Sequence, residues 1–274
     1  MRLVGYKAEG GTRVAALADA GRAIDLTGVD DFYADLGRWL DQARLRPAGL
    51  AVADLDLVPP VRPAARILCV GLNYRAHAAE AGIALPEYPT IFGRWTPSLT
   101  VSGTPVPVPA DEAGLDWEGE LAVVIGAPLR EASEQEARQA IFGYAVFNDL
   151  SARKAQGQSS QWTVGKNADR SGPIGPVVTA DEVPGIDAGL RLVTRVNGEI
   201  MQDTSTADMI FSPAQVAAYL SRTFTLLPGD VIASGTPSGV GAARKPPRLM
   251  RQGDVVSVEI DGLGSVTNPI TSRP

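Results

Sequence analysis

Cysteine and histidine are almost absent from this chain, which has one of each among its 274 residues. The single cysteine, Cys69, excludes an intrachain disulfide and any cysteine-rich zinc site. The single histidine, His77, excludes a metal site built from several histidines. A reaction that needs a histidine must therefore use His77.

Long apolar runs and runs of lysine or arginine are also missing. No segment reaches the roughly 18 consecutive apolar residues of a membrane span, and the N-terminus lacks the pattern of a signal peptide. The formal net charge is −6, so the chain has no excess of cations to neutralise nucleic-acid phosphates. We expect neither a membrane nor a nucleic acid as partner, and a cytoplasmic location is the default expectation.

The composition is that of an ordinary globular protein, with 45% hydrophobic and 20% charged residues. Pro59, Pro60 and Pro63 interrupt the chain and predict a boundary there. Residues 1–62 then form a small α+β domain, with short strands around a Gly-Gly turn and helical spacing over residues 31–46. Residues 63–274 form the larger domain.

The larger domain has many proline-punctuated strands and few helices. Hairpin signals occur at Asn197-Gly198 and Asp261-Gly262, each between two strand-like segments. Helices are predicted near residues 73–81, 133–141 and 212–222. The fold class is therefore predicted as mainly β with some α.

Three carboxylates lie at the ends of apolar strands. Glu118 and Glu120 are two residues apart in LDWEGELAVVIG, so a strand directs both side chains to one face, where they repel each other. Asp149 follows another apolar strand, GYAVFND. Carboxylates without histidine or cysteine suit Mg²⁺ first, then Mn²⁺ and Ca²⁺. Solvated acids at a strand edge show the same spacing, and spacing alone favours them.

His77 and Glu80 are three residues apart in CVGLNYRAHAAEAG, so they share one face of the predicted helix. A glutamate beside a histidine raises its basicity and orients its ring, as a general base for water requires. A surface histidine with a neighbouring glutamate gives the same pattern and is the commoner case.

Taken together, the motifs resemble those of the fumarylacetoacetate hydrolase family, in particular its acylpyruvate hydrolase-like branch. The matching segments occur in the family's order between about residues 67 and 268: CVGLNYRAHAAE, PTIFGRW, DWEGELAVVIG, GYAVFNDLSARKAQ, the lysine of VGKNADRSGPIGP, and GDVIASGTPSGVG. The resemblance implies a mixed β-roll or β-sandwich domain, one Mg²⁺ or Mn²⁺ per subunit, a homodimer, and a place in the breakdown of aromatic compounds.

The resemblance also implies roles for individual residues. Metal ligands fall on Glu118, Glu120 and Asp149, and catalytic residues on His77, Glu80 and Lys166. Substrate-binding residues fall on Arg94, Arg153, Gln156 and Thr236. Two departures bear on substrate identity. Arg94 stands where the family usually has a lysine, and arginine holds a carboxylate but cannot give up a proton. The neighbours of Lys166 also differ from the usual pattern.

The function these implications favour is metal-dependent hydrolysis of a C–C bond in a small 2-oxo acid, such as an acylpyruvate or fumarylpyruvate, to pyruvate and a carboxylic acid. Decarboxylation of an oxaloacetate-like acid, and isomerisation or hydration of a 2-hydroxy-diene dioate, use the same chemistry and stay open. His77 and Glu80 favour hydrolysis, because decarboxylation needs no nucleophilic water. A non-catalytic family member is the remaining alternative.

Overall fold

The computed structural model describes residues 1–18, 21–183 and 185–273. The N-terminal part supplies five strands and two helices among these residues: β1 (Arg2–Ala8), β2 (Gly11–Leu17), β3 (Arg22–Gly28), α1 (Val29–Ala34), α2 (Leu36–Leu45), β4 (Leu50–Ala51) and β5 (Leu57–Val58). The helical spacing over residues 31–46 corresponds to two helices rather than one. Asp35 separates them and caps α2 by accepting a hydrogen bond of 3.1 Å from the Arg38 N–H.

The rest of the chain is richer in strands than in helices. Its strands are β6 (Ile67–Gly71), β7 (Thr90–Arg94), β8 (Leu99–Thr100), β9 (Val106–Val108), β10 (Gly119–Ile125), β11 (Ile141–Asn148), β12 (Gly172–Pro173), β13 (Val177–Thr179), β14 (Arg191–Val196), β15 (Glu199–Ser205), β16 (Val231–Ala233), β17 (Val255–Ile260) and β18 (Gly264–Ser272). Its helices are α3 (Arg75–Glu80), α4 (Glu134–Gln139), α5 (Arg153–Gln156), α6 (Thr163–Lys166) and α7 (Pro213–Ser221). The prediction of a mainly β fold is confirmed.

The strands form two principal sheets within the described residues. The larger has eleven strands in the order β4-β3-β2-β1-β13-β11-β10-β16-β6-β7, with β5 paired to β1. The smaller has five in the order β15-β14-β17-β18-β9. β14–β15 and β17–β18 are the hairpins predicted from the two X-Gly turns. A parallel pair, β8 and β12, stands apart.

Strand β10 lies inside the large sheet and is buried over its whole length. Leu121, Val123 and Ile125 pack into one core cluster, which also receives side chains of the smaller sheet and of α7. Ala122 and Val124 face the opposite way into a second cluster. This alternation follows from the two-residue period of a strand, and it explains why the segment is apolar throughout.

The N-terminal residues belong to the large sheet and to its second core. β1 pairs with β13, so the sheet continues from the N-terminal strands to the central ones. Leu3, Val14 and Phe32 share a cluster with Ala122 and Phe147. The boundary at residues 62 and 63 stays a prediction, as does the homodimer. No helix among the described residues is long and apolar enough to cross a membrane.

Candidate active site

Two neighbouring strands bring the three predicted metal carboxylates together. β10 and β11 are antiparallel, and Gly119 lies opposite Asn148, so the residues just outside this pair, Glu118 and Asp149, are also adjacent. The Asp149 N–H donates to the Glu118 carbonyl at 2.9 Å. One carboxylate oxygen from each of Glu118, Glu120 and Asp149 lies within 4.8 Å of the others, and all three residues are buried. Oxygens at this spacing can share one ion.

The charges of this cluster are unevenly compensated. Burial raises the pKa of Glu120 well above its ordinary value, and the negative charges of Asp149 and Glu118 raise it further. Burial also acts to raise the pKa of Glu118, but Lys166 and Arg153 outweigh it and lower that pKa to about 2. The Gly235 N–H, which donates to Oε2 of Glu120 at 2.9 Å, and the charge of Lys166 act to lower this pKa but do not offset the rise, so the ionised form of Glu120 needs further compensation. A divalent cation with a preference for oxygen ligands would supply it, so the donor set fits Mg²⁺ or Mn²⁺.

Lys166 lies among the carboxylates. Its side chain is 2% exposed, and Nζ is 2.6 Å from Oε2 of Glu118 and 2.7 Å from Oδ2 of Asp149. The ring of Phe92 lies 5.3 Å from the same Nζ. Burial would lower the pKa of Lys166, but the charges of Asp149 and Glu118 reverse this and raise it. Lys166 therefore stays a cation and neutralises part of the cluster.

Arg94 is buried behind Asp149. Its Nε donates to Oδ1 of Asp149 at 3.0 Å, and Nη2 contacts the same oxygen. Nη1 donates to the hydroxyls of Ser171 at 2.7 Å and Ser98 at 3.2 Å, and Nη2 also reaches the Leu150 carbonyl. These contacts support a role in anchoring Asp149. Binding of substrate by Arg94 stays a prediction.

Arg153 connects the carboxylate cluster to helix α5. Its Nη2 lies 2.7 Å from Oε1 of Glu118, and its Nε donates to Oδ2 of Asp116 at 2.8 Å. Its Nη1 donates to Oε1 of Gln156 at 2.8 Å, so Arg153 engages the oxygen of this side chain and not its NH₂ group. The structure thus places Arg153 and Gln156, two predicted substrate-binding residues, side by side.

Asp116 is a buried residue of the site that the motif reading missed. Besides Arg153, it accepts hydrogen bonds from the backbone N–H groups of Gly241 at 2.6 Å and Ala242 at 2.9 Å. It fixes Arg153 against the loop that follows Thr236. The signal was available, because Asp116 continues the alternation of Glu118 and Glu120 by one step toward the N-terminus.

Gln202 is the second missed residue, and it holds Thr236. Its amide group donates to Oγ1 of Thr236 at 2.8 Å and to the Pro237 carbonyl at 3.0 Å, while its Oε1 accepts from the Gly119 N–H at 3.0 Å. Thr236 in turn donates to the Gly119 carbonyl at 3.0 Å. Gln202 lies on β15 in the other sheet, far from every recognised motif, so no sequence signal pointed to it.

The predicted acid–base pair is in contact. Nδ1 of His77 lies 3.0 Å from Oε2 of Glu80, and the other oxygen of Glu80 accepts from the Gly239 N–H at 2.9 Å. Gly239 has φ +98°, and a side chain there would collide with the Met201 carbonyl, so this bond depends on glycine. Glu80 is therefore oriented from both sides and presents one oxygen to the imidazole.

A cavity of about 210 Å³ lies between the histidine and part of the carboxylate cluster. Its lining includes His77, Glu118, Arg153, Gln156, Lys166 and Thr236, together with the apolar residues Val70, Leu72, Ile83, Phe92 and Trp162. Gly71 makes room for Trp162, because a Cβ on Gly71 would lie 2.5 Å from its ring. Of the tryptophans near the motifs, Trp162 lines the cavity, Trp117 is buried elsewhere, and Trp95 is 60% exposed.

Replacing Asp116 by asparagine tests how Arg153 is held. An asparagine NH₂ group would face either Arg153 or two backbone N–H groups, so a buried donor loses its acceptor. We expect the free energy of unfolding to fall by roughly 3 kcal/mol, the scale for breaking a buried ion pair. Urea unfolding measures this. Asp203→Asn, which removes an exposed partner of Arg191, is the matched control and should change little; equal losses in both variants would refute the assignment.

The candidate active site of an enzyme thus consists of a buried carboxylate trio suited to a divalent cation and a histidine–glutamate pair, with Glu118 and His77 lining one cavity. The chain belongs to the fumarylacetoacetate hydrolase family, since the family's sequence profile, described as fumarylacetoacetate (FAA) hydrolase C-terminal, matches residues 66–271. The resemblance seen in the motifs is thus confirmed.

Relatives of the chain carry several activities. The mitochondrial oxaloacetate tautomerase fahd2 of Xenopus laevis is 37% identical over 223 residues, which cover 81% of this chain and 70% of the relative. The structure of 5-carboxymethyl-2-hydroxymuconate delta-isomerase from Mycobacterium smegmatis matches with a TM-score of 0.79 and 32% identity over the whole of both chains. The structure of fumarylpyruvate hydrolase from Pseudomonas aeruginosa, in complex with Mn²⁺ and pyruvate, matches with a TM-score of 0.71 and 32% identity over 79% of this chain and 92% of that one.

Proposed function

We propose that this enzyme is a divalent-metal-dependent hydrolase that cleaves the C–C bond of an acylpyruvate to pyruvate and a carboxylic acid. One observation carries the proposal: His77, which Glu80 contacts, and Glu118 of the carboxylate cluster border the same cavity. A histidine with an orienting carboxylate suits activation of water. The similarity to a fumarylpyruvate hydrolase structure supports the same reaction class.

The metal would be held by Glu118, Glu120 and Asp149, with Mg²⁺ or Mn²⁺ as the candidate ions. When bound, such an ion supplies stabilisation of negative charge that develops on the oxygens of the substrate. Arg94 keeps Asp149 in place by holding its Oδ1, and Arg153 does the same for Glu118 through Oε1. Two arginine side chains therefore hold the carboxylates of the proposed metal site in place.

His77 would act as the general base. It takes a proton from water, and the hydroxide adds to the distal carbonyl carbon of the acylpyruvate. The bond between this carbon and the adjacent methylene carbon then breaks, and its electron pair stays on the pyruvate fragment. That fragment takes a proton at carbon, so water is consumed and the products are pyruvate and a carboxylic acid. Glu80 stabilises the imidazolium that forms in between.

The substrate's own carboxylate and oxo group would be met by polar groups on the cavity wall. The amide group of Gln156 offers hydrogen-bond donors, Lys166 and Arg153 contribute positive charge, and Thr236 lines the same wall. Because Gln202 holds Thr236 and Asp116 holds Arg153, these groups are positioned before substrate binds.

Tautomerisation of a 2-oxo acid is the second candidate, favoured by the 37% identity to an oxaloacetate tautomerase. That reaction moves a proton between carbon and oxygen and breaks no C–C bond. His77 could move such a proton, so the cavity fits this reaction as well, although it requires no water.

A substrate panel tests the proposal. The purified enzyme is incubated with acetylpyruvate, fumarylpyruvate, oxaloacetate and a 2-hydroxy-dienoate, with Mg²⁺, with Mn²⁺ and with EDTA. We expect pyruvate from at least one acylpyruvate, detected with lactate dehydrogenase, and loss of the activity with EDTA. Ketonisation of enol-oxaloacetate without release of pyruvate from any acylpyruvate would replace hydrolysis by tautomerisation.

A further inference from the structure

The cations that line the cavity already have carboxylate partners. The arginine and the lysine of the cavity lining are Arg153 and Lys166. Arg153 binds Asp116 and Glu118, and Lys166 binds Glu118 and Asp149 at 2.6–2.7 Å. Neither is left over to pair with a charged group at the far end of a substrate.

The charges around the cluster leave room for one anion. Four buried carboxylates face three buried or half-buried cations, and a divalent ion brings the sum to one positive charge: Asp116, Glu118, Glu120 and Asp149 against Arg94, Arg153 and Lys166. One substrate carboxylate restores neutrality. A second would lie against the apolar wall of the cavity without a counter-charge, which is unfavourable.

The remaining wall of the cavity is apolar and the space is small. Val70, Leu72, Ile83, Phe92 and Trp162 line it, with the Phe92 and Trp162 rings in edge contact at 5.4 Å between centroids. A volume of about 210 Å³ accommodates a pyruvate unit with a short substituent. Binding an alkyl group against such a wall is favourable, because apolar surface is removed from water. Binding a carboxylate there is unfavourable, because the charge is desolvated.

We propose that the site selects monocarboxylic acylpyruvates with a short apolar acyl group and discriminates against dicarboxylic 2-oxo acids. The cleavage reaction in this statement rests on the proposed function, whereas the preference for one acid over another does not. Ile83 determines it at the cavity mouth, where its side chain lines the cavity and remains 49% exposed.

The binding test compares two ligands that differ at one end. In 5-methyl-2-oxohexanoate an isopropyl group replaces the distal carboxylate of 2-oxoglutarate, and neither compound has the second carbonyl needed for cleavage. Calorimetry with the Mg²⁺-loaded enzyme should show the isopropyl compound binding at least about 10-fold more tightly, because the second carboxylate has no partner. Equal or tighter binding of 2-oxoglutarate would overturn the proposal.

Ile83→Arg should reverse the preference. The new guanidinium supplies the missing counter-charge, so we expect 2-oxoglutarate to gain about 10-fold in affinity and the isopropyl compound to lose. Val255→Arg is the matched control: Val255 is 40% exposed on β17, outside the cavity lining, and its replacement should leave both affinities unchanged. A similar gain in both variants would show that overall charge, and not Ile83, governs the preference.

The two proposals fail separately. Tight binding of the isopropyl compound without pyruvate release from any acylpyruvate supports the selectivity and refutes the hydrolysis. Hydrolysis of fumarylpyruvate with a kcat/KM equal to that of isovalerylpyruvate supports the hydrolysis and refutes the selectivity.

Discussion

Replacing Glu120 by glutamine should abolish metal binding and sharply lower turnover while leaving the metal-free protein at least as stable as the wild type. Glutamine keeps the shape of Glu120 but removes a charge that burial and two neighbouring carboxylates disfavour. Turnover should fall on the order of 10³-fold, since metal assistance contributes several kcal/mol and about 1.4 kcal/mol corresponds to a factor of ten. Thermal unfolding with and without Mg²⁺, beside the turnover assay, measures both effects.

Glu118→Gln is the matched comparison two residues away. It also removes a metal ligand, but it leaves Lys166 and Arg153 short of a buried partner, so the metal-free protein should lose on the order of 3 kcal/mol. A metal-free Glu120→Gln protein that is as destabilised as Glu118→Gln would contradict the charge distribution described here. Retention of a Mg²⁺-induced rise in Tm by Glu120→Gln would remove Glu120 from the metal site.

The pH dependence of the two metal-free variants should have opposite signs. The pKa of Glu118 is held at about 2, below its ordinary 4.5, so its charge stabilises the fold above pH 4.5 and this contribution is lost as the pH falls toward 2. The loss of unfolding free energy in Glu118→Gln, relative to the wild type, should therefore shrink as the pH falls over that range. The pKa of Glu120 is raised, so its contribution is present below pH 4.5 and lost as the pH rises. The advantage of Glu120→Gln should grow above pH 4.5.

Replacing His77 by alanine should lower hydrolysis by about 10²–10⁴-fold, the usual contribution of a general base. Metal binding should persist, because His77 lies outside the carboxylate trio. The measurements are kcat for pyruvate release and the Mg²⁺-dependent rise in Tm. A loss of kcat with an unchanged metal response separates a missing base from a collapsed site.

Two further variants define the role of His77. Glu80→Gln keeps an oxygen near the imidazole but removes the charge that stabilises its protonated form, so a smaller loss of kcat is expected. Arg75→Ala, at the start of the same helix but outside the cavity lining, should retain activity within a few-fold. Unchanged hydrolysis in His77→Ala would eliminate it as the base.

Local patterns in the sequence predicted the parts of the fold and site that depend on neighbours along the chain. The apolar segment after Glu120 predicted a buried strand, and X-Gly pairs predicted both hairpins. The three-residue spacing of His77 and Glu80 predicted their contact, because one helical turn brings such residues together. In each case the determining interaction spans a few residues.

Interactions between distant segments could not be predicted in this way. The position of Asp149 beside Glu118 depends on the register of β10 against β11, which no single segment specifies. The motif position of Arg94 did not specify its contact with Asp149, 55 residues away, which the structure shows; substrate binding by Arg94 stays a prediction. Gln202 contacts Thr236 from another sheet, 34 residues away in the chain.

Some residues of the site lie in the large sheet and others in connecting segments, and mutations at the two kinds of position should have different effects. Glu120 lies on β10, which is hydrogen-bonded on both sides, so altering its backbone would disturb the framework of the whole molecule. Ile83 and Trp162 lie in connecting segments, between α3 and β7 and between α5 and α6. Mutations there can reshape what the enzyme accepts while its chemistry stays intact. The sheet thus holds the reacting groups in place, while the connecting segments that line the cavity can vary. This division makes the enzyme suited to directed evolution toward new acids.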